Sequence, residues 1–372
     1  TKIFFNATHT HTAPVMREDT YDLKAKDVFT PTEYVELLTD RLSKAIESAW
    51  KERQPGSVGW GLGHAVIGEN RRVVYENGTA QMYGRTNRSD FRGLEGEVDH
   101  GVEVLFFWDE NQKLIATAVN VACPSQLVEG RSAVNADFWH EVRETLRKRH
   151  GKDLLILGWT GAAGDQTPRP MIRTAAEERM RRLRGLTGLE EHARRIVRAW
   201  EDAYDGAKQE RHSDVLFVHK VCQIQLSPRR ISTDEYAQAK EAIAAAAKQP
   251  DNQWTLRWQQ GVIDRYEQQR KGMFEAPEME LHILRLGDVA IATNDFELFT
   301  NFGIQIKARS PALQTFLIQL AGPGSYVPTD RAVRGGGYSA IPQSNIIGPE
   351  GGQELVEETV QRIQVLWSKP GN

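Results

Sequence analysis

Apolar and polar residues follow one another along this chain in blocks whose period switches between helical and extended. Tyr34, Leu37, Leu38, Leu42, Ala45 and Ile46 recur at helical spacing and predict a helix to about Trp50, with Thr32 as its N-cap. Alternation among glycines from Val58 to Val74 predicts strands and turns. Val102–Trp108 and Leu114–Val121 predict a hairpin that runs into Ala122-Cys123-Pro124-Ser125-Gln126. A helix after Asn135, with Phe138, Trp139, Val142 and Leu146 on one face, precedes a short apolar strand, Leu154–Leu157. That strand empties into a glycine-rich loop, Gly158 to Pro168, which lacks the Gly-Lys-Ser/Thr ending of a phosphate-binding loop. Residues 173–211 are dense in charge and predict one or two solvated helices covering the core. Val215–Leu226 predicts a strand, and Thr233–Lys248 and Trp254–Arg270 predict helices. Strands over Met279–Leu286, Val289–Thr293 and Thr315–Leu320 come next, and a helix over Gly352–Trp367 closes the chain. The pattern implies an α/β fold, mixed sheets with covering helices, in a single domain over residues 1–372 without internal repeat or linker.

Composition narrows the function classes. The 372 residues are 40% hydrophobic and 26% charged, an ordinary globular balance. A net charge of −3 leaves no basic footprint for nucleic acid. No apolar run approaches the roughly 20 residues of a membrane span, and no exposed apolar helix stands out for engaging a membrane. With two cysteines, Cys123 and Cys222, there is no disulfide framework; alternating apolar neighbours give Cys222 a packing role. The chain starts without Met inside a β-prone run, Ile3-Phe4-Phe5, so N-terminal sequence is expected to be missing.

The chemistry begins in that run, which leads to His9-Thr-His11-Thr-Ala-Pro14. On an extended backbone, residues two apart point the same way, so two imidazoles could converge on one metal or substrate atom. His9, Cys123, Thr167, Glu297 and Tyr326 each follow a predicted strand, and strand ends can assemble one site. Histidine, thiolate and carboxylate are zinc-type ligands. Each also has a plainer role: Cys123 as a core residue, Glu297 at a helix N-terminus, Tyr326 and Tyr338 as packed aromatics.

In combination these segments resemble the catalytic domain of the neutral/alkaline (non-lysosomal) ceramidase family of zinc amidases. His9-Thr-His11-Thr-Ala-Pro resembles that family's His-Thr-His-Ser-Gly-Pro, and Asn87-Arg88-Ser89 its Asn-Arg-Ser. Gly164-Asp165-Gln166-Thr167-Pro168 resembles Gly-Asp-Val-Ser-Pro; Glu297 with Gly303, and Tyr326 with Tyr338, match further site spacings. The resemblance implies a zinc ion held by His9, Cys123, Glu297 and Tyr326, with Cys123 standing where the family has a histidine. It implies that His11, Arg88, Thr167 and Tyr338 are catalytic, with Asp165, Gln166 and Arg169 on the substrate side. The expected reaction is metal-activated water attacking an amide of a small molecule other than ceramide. A secreted or periplasmic location is implied by the resemblance alone, and the family's C-terminal immunoglobulin-like domain is expected to be absent. Two rivals remain: a metal-dependent enzyme on a polar or anionic carbohydrate, suited by Arg88, Arg169 and Arg334, and a binding protein that has lost the metal.

Overall fold

The computed structural model describes residues 2–18, 27–247 and 253–368. The first periodic stretch forms α1 (Pro31–Lys51). Its N-cap is Thr30 rather than Thr32: the Thr30 hydroxyl accepts from the Glu33 amide and Glu33 reaches back to the Thr30 amide, a reciprocal capping box. No residue of α1 is buried, and Leu37, Leu42, Ile46 and Trp50 stay exposed, so an exposed helix with apolar residues is present after all.

Two four-stranded sheets make up the centre. One contains β1 (Gly56–His64), β2 (Gly101–Asp109), β3 (Leu114–Val121) and β4 (Leu155–Thr160), side by side in that order. The other contains β5 (Phe217–Gln225), β6 (Glu278–Leu286), β7 (Val289–Thr293) and β8 (Gln314–Ile318), again in order. In both, the first three strands are antiparallel and the fourth runs parallel to the third. A parallel neighbour requires a crossover. It is α2 (Phe138–His150) in the first sheet and, in the second, the helix Thr300–Arg309 described below as α7.

Residues 173–211 form α3 (Thr174–Leu183) and α4 (Gly188–Ala207). The expectation of solvated helices holds only for α3, which buries nothing. The α4 helix buries Ala193, Ile196, Val197 and Trp200 against the first sheet. Then come α5 (Thr233–Ala246) and α6 (Gln253–Arg270), paired through stacked Tyr236 and Tyr266; Lys248, the expected end of α5, lies outside the described residues. The chain ends with α7, a short α8 (Asp330–Gly335), and α9 (Pro349–Trp367).

Side-chain alternation stacks these parts as helices, sheet, sheet, helices. Val102, Val104 and Phe106 of β2 face α2 and α4, while Leu105, with Ala118 and Trp159, faces the second sheet. There it meets Leu284, Ile291, Phe316 and Ile318. Leu281, Ile283, Ala292 and Leu317 turn the other way, onto Phe302 and Ile306 of α7 and Leu355, Val356 and Val360 of α9. Buried apolar side chains of this size each contribute about 1.5–3 kcal/mol.

Polar ties register the strand ends. Asn120 Nδ2 donates to the Leu317 carbonyl at 2.9 Å, and the Gln319 amide donates to the Thr160 carbonyl at 2.9 Å. Gln319 Oε1 accepts from the amides of Ala163 and Leu298. The loops after β3, β4, β7 and β8 are thereby held at one edge. The N-terminal segment lies across them: the Ala7 amide donates to Leu320 O, and the Ser125 amide to Thr8 O. It is not the expected strand; residues 2–10 carry no regular pairing, and Phe4 packs edge-on to His282.

Candidate functional site

His9 adopts a left-handed backbone, φ 66°, in the turn opened by the N-terminal segment. The two imidazoles therefore do not share a side through strand alternation. They share it through this turn, with ring centroids 5.1 Å apart. His9 Nε2 lies 2.8 Å from Glu297 Oε2. Glu297 stands beside Tyr326 because residues 297–298 and 326–327 form a two-stranded parallel ladder. Tyr338 meets the Tyr326 ring edge-on at 5.7 Å.

Gln126 joins the histidines. Its Nε2 is 3.0 Å from His9 Nδ1 and 2.7 Å from His11 Nε2. Arg71 Nη1, 3.4 Å from Gln126 Oε1, fixes the amide with its NH₂ toward the two rings. Both histidines then accept from Gln126 and keep their protons on the other nitrogen: His9 donates to Glu297, and His11 Nδ1 faces Glu129 Oε2 at 3.5 Å. Burial, followed by the neighbouring His9, lowers the His11 pKa, in keeping with a neutral ring.

Behind this row sits Arg71, buried in the core. Its Nη2 donates to the Gly164 carbonyl at 2.9 Å and to the Tyr326 hydroxyl at 3.1 Å. Burial opposes its charge, but Tyr326, Tyr83 and Glu297 outweigh that and keep the guanidinium charged. Burial, then the Glu297 charge, pushes the Tyr326 phenol up. At the mouth, Arg169 pairs with Glu129 at 2.6 Å. Thr167 is buried, its hydroxyl 3.3 Å from the Tyr83 hydroxyl.

Seven of the residues expected from sequence thus gather in this region: His9, His11, Glu297, Tyr326, Tyr338, Thr167 and Arg169. Four do not. Cys123 turns into the first sheet's core, where its thiol donates to the Ile67 carbonyl at 3.3 Å. Burial, then Asp137, pushes that thiol well above the usual range, so it stays protonated. Arg88 lies on the surface, paired with Asp90 and stacked on Tyr75. Asp165 is sealed inside: Oδ1 accepts from the Thr300 amide and hydroxyl at the start of α7, and Oδ2 from Asn70. Gln166 is sealed with it, donating to the Glu97 carbonyl. Their inward hydrogen bonds keep both from facing a substrate.

The donor set does not fit the expected zinc cup. Cys123 is out of reach, and Gln126 holds His9 with the proton on the nitrogen that would have to bind metal. A guanidinium, which would repel a dication, bonds the tyrosine ligand. Among the described residues no group of three or more His, Cys, Asp and Glu side chains could hold a metal ion.

Arg71, Gln126, Glu129 and Tyr83 were missed from sequence. The chain holds two Asn-Arg pairs, 70–71 and 87–88, and the fold brings only the first of them to the site.

Comparison with solved structures gives the neutral ceramidase from Pseudomonas aeruginosa, with a TM-score of 0.59 at 13% identity over 92% of this chain. A ceramidase complexed with C2 matches equally, with a TM-score of 0.59 at 12% identity over 91% of this chain. The chain spans 57% of the length of each. The likeness establishes a ceramidase-like fold in one domain. No family model and no curated protein matches the sequence.

Proposed function

We propose that this chain is a hydrolase that cleaves an amide (N-acyl) bond of a small molecule by general acid–base chemistry. The contact between His9 and Glu297, beside Tyr326 and Tyr338 and backed by buried Arg71, carries the reading. The hydrolase-like relationship to the ceramidase fold supports it.

Glu297 takes a proton from water as the oxygen attacks the carbonyl carbon, and the carbonyl π electrons move to oxygen. Tyr338 hydrogen-bonds that oxygen as its charge grows, and His11 with Glu129 flanks it. Arg71, acting through Tyr326, adds positive potential from a buried position where screening is weak. When the C–N bond breaks, the proton held by Glu297 passes to the leaving nitrogen. His9 fixes the carboxylate's orientation, and Thr167 with Tyr83 supports the floor. No step runs through zinc.

The test is turnover of a panel of N-acyl compounds with and without EDTA, beside elemental analysis of the purified protein. Hydrolysis that resists EDTA and falls about a thousandfold in Glu297→Gln, within the usual range for a general base, is expected. One zinc per chain, lost in His9→Ala together with activity, would overturn the metal-free mechanism. No turnover of any N-acyl compound would overturn the hydrolase reading and favour the binding protein.

A further inference from the structure

The α6 helix carries Trp254 and Trp258 one turn apart, their ring centroids 4.6 Å from each other. Trp254 packs on Trp258 yet stays 66% exposed, a large apolar area left in water. Trp258 lies 6.1 Å from Tyr338, and Tyr338 lies 5.7 Å from Tyr326. Four aromatic rings therefore run in succession from solvent to the neighbour of Glu297.

The ladder is held to the site rather than hung near it. Arg265 of α6 donates to the carbonyls of Asn345 and Pro342, in the segment that follows Tyr338. Gln343 of the same segment donates to Gln259 of α6 at 2.8 Å. Ile231, Ala239 and Val262 fix the α5–α6 pair below it.

Ring faces bordered by hydrogen-bonding groups recognise a pyranose. Its axial C–H face lies flat on an indole, and its hydroxyls reach polar groups at the edge. The edges here are polar: Gln259 and Gln343 at the ladder, His11, Glu129 and Arg169 at the mouth. An acyl chain would want a continuous apolar trough instead. We infer that the substrate is an N-acylated amino sugar within an oligosaccharide, its outlying rings stacked on Trp254 and Trp258 while its N-acyl group meets Glu297 and Tyr338. The choice of reacting group rests on the hydrolase reading; the stacking platform does not.

The experiment uses N,N′,N″-triacetylchitotriose as the probe, titrated by calorimetry and tryptophan fluorescence, with maltotriose and N-hexanoylsphingosine as comparators. Triacetylchitotriose should bind wild type and Glu297→Gln within about twofold of each other and should change the tryptophan emission, because the mutation leaves the platform intact. Trp258→Leu, which keeps apolar bulk but removes the flat face, should weaken binding about tenfold and Trp254→Leu about threefold, while Trp258→Tyr recovers most of it. In turnover, Trp258→Leu should raise KM and leave kcat nearly unchanged, the mark of uniform binding lost. Absence of triacetylchitotriose binding, equal binding by Trp258→Leu, or preference for N-hexanoylsphingosine overturns the inference. Equal affinity for maltotriose overturns the N-acyl requirement. If the sugar binds in a Trp258-dependent way but neither it nor any other N-acyl compound is hydrolysed, the hydrolase reading falls and the sugar site stands. If other N-acyl compounds turn over while this probe neither binds nor reacts, the reverse holds.

Discussion

The two halves of this molecule share one plan and spend it differently. Each runs strand, strand, strand, crossover helix, strand, and then a helix laid over its own sheet. Two residues past the third strand, the first half has Cys123 and the second has Asp295. The first position is closed into a core, and the second is half open to solvent and leads within two residues to Glu297. The first half contributes Gln126, which joins the two histidines, and Arg71, which bonds the Tyr326 hydroxyl. The second contributes Glu297, Tyr326 and Tyr338, which line the candidate site beside His9. Topological equivalence therefore does not carry chemical equivalence; the loop that leaves each strand decides it.

The comparison is broken most severely by removing the side chain that ties the halves. Arg72 makes a bidentate pair with buried Glu95 and also donates to the carbonyls of Ala332 and Gly336, just before Tyr338. Arg72→Ala leaves Glu95 buried and unpaired and should cost about 3–5 kcal/mol in chemical denaturation. A loss under about 1 kcal/mol would mean that the Tyr338 segment is held by other contacts.

Next comes Cys123→Ala. It should lower stability by about 1–2 kcal/mol for the lost buried sulfur while leaving turnover within about twofold. A larger drop in turnover at unchanged stability would return Cys123 to the site. The same comparison sharpens with a thiol reagent: Cys123, its pKa raised by burial, should react at about pH 8 only after unfolding.

Asp295 gives a smaller, pH-dependent effect. Burial first, then Glu280, raises its carboxyl from 3.8 to about 6. The folded state therefore binds this proton more tightly than the unfolded one. The associated stability is complete below pH 3.8 and is lost as pH rises through about 6. Asp295→Asn should stabilise the protein above about pH 6 by about 1 kcal/mol, a value reduced for partial solvent screening, with no gain below about pH 4. A gain independent of pH would place its origin in packing. Least of all, Arg88→Ala should change stability by about 0.5 kcal/mol or less and leave turnover unaltered, as a surface ion pair warrants.

The elements were largely legible. The hairpin of β2 and β3, the closing helix and both central helical blocks emerge from periodicity, because each has a face that a core must cover. The site was legible where a residue type is rare or strand-bound: His9, Glu297, Tyr326. It was not where two equal motifs compete. Asn87-Arg88 and Asn70-Arg71 are the same dipeptide, and only the fold tells that the second enters the core. Cys123 misled because the strand end sets where a backbone goes, not which way the side chain turns. Gln126 carries no charge and no metal-ligand signature, so nothing in its own chemistry drew notice.

Arg71 and Arg72 are adjacent, both buried, and committed to opposite destinations: one to Tyr326, the other to Glu95. In an extended segment, a slip by one residue exchanges the two faces. Here a slip one way would set Val73 against Glu95 and strand that carboxylate, and a slip the other way would put Asn70 in place of Arg71 and take the guanidinium from Tyr326. The short strand that begins at Arg72 thus proofreads its own alignment by charge. A misthreaded chain could not settle into a stable near-copy of this site, and the route to the folded state is narrowed at the point where the chemistry is assembled.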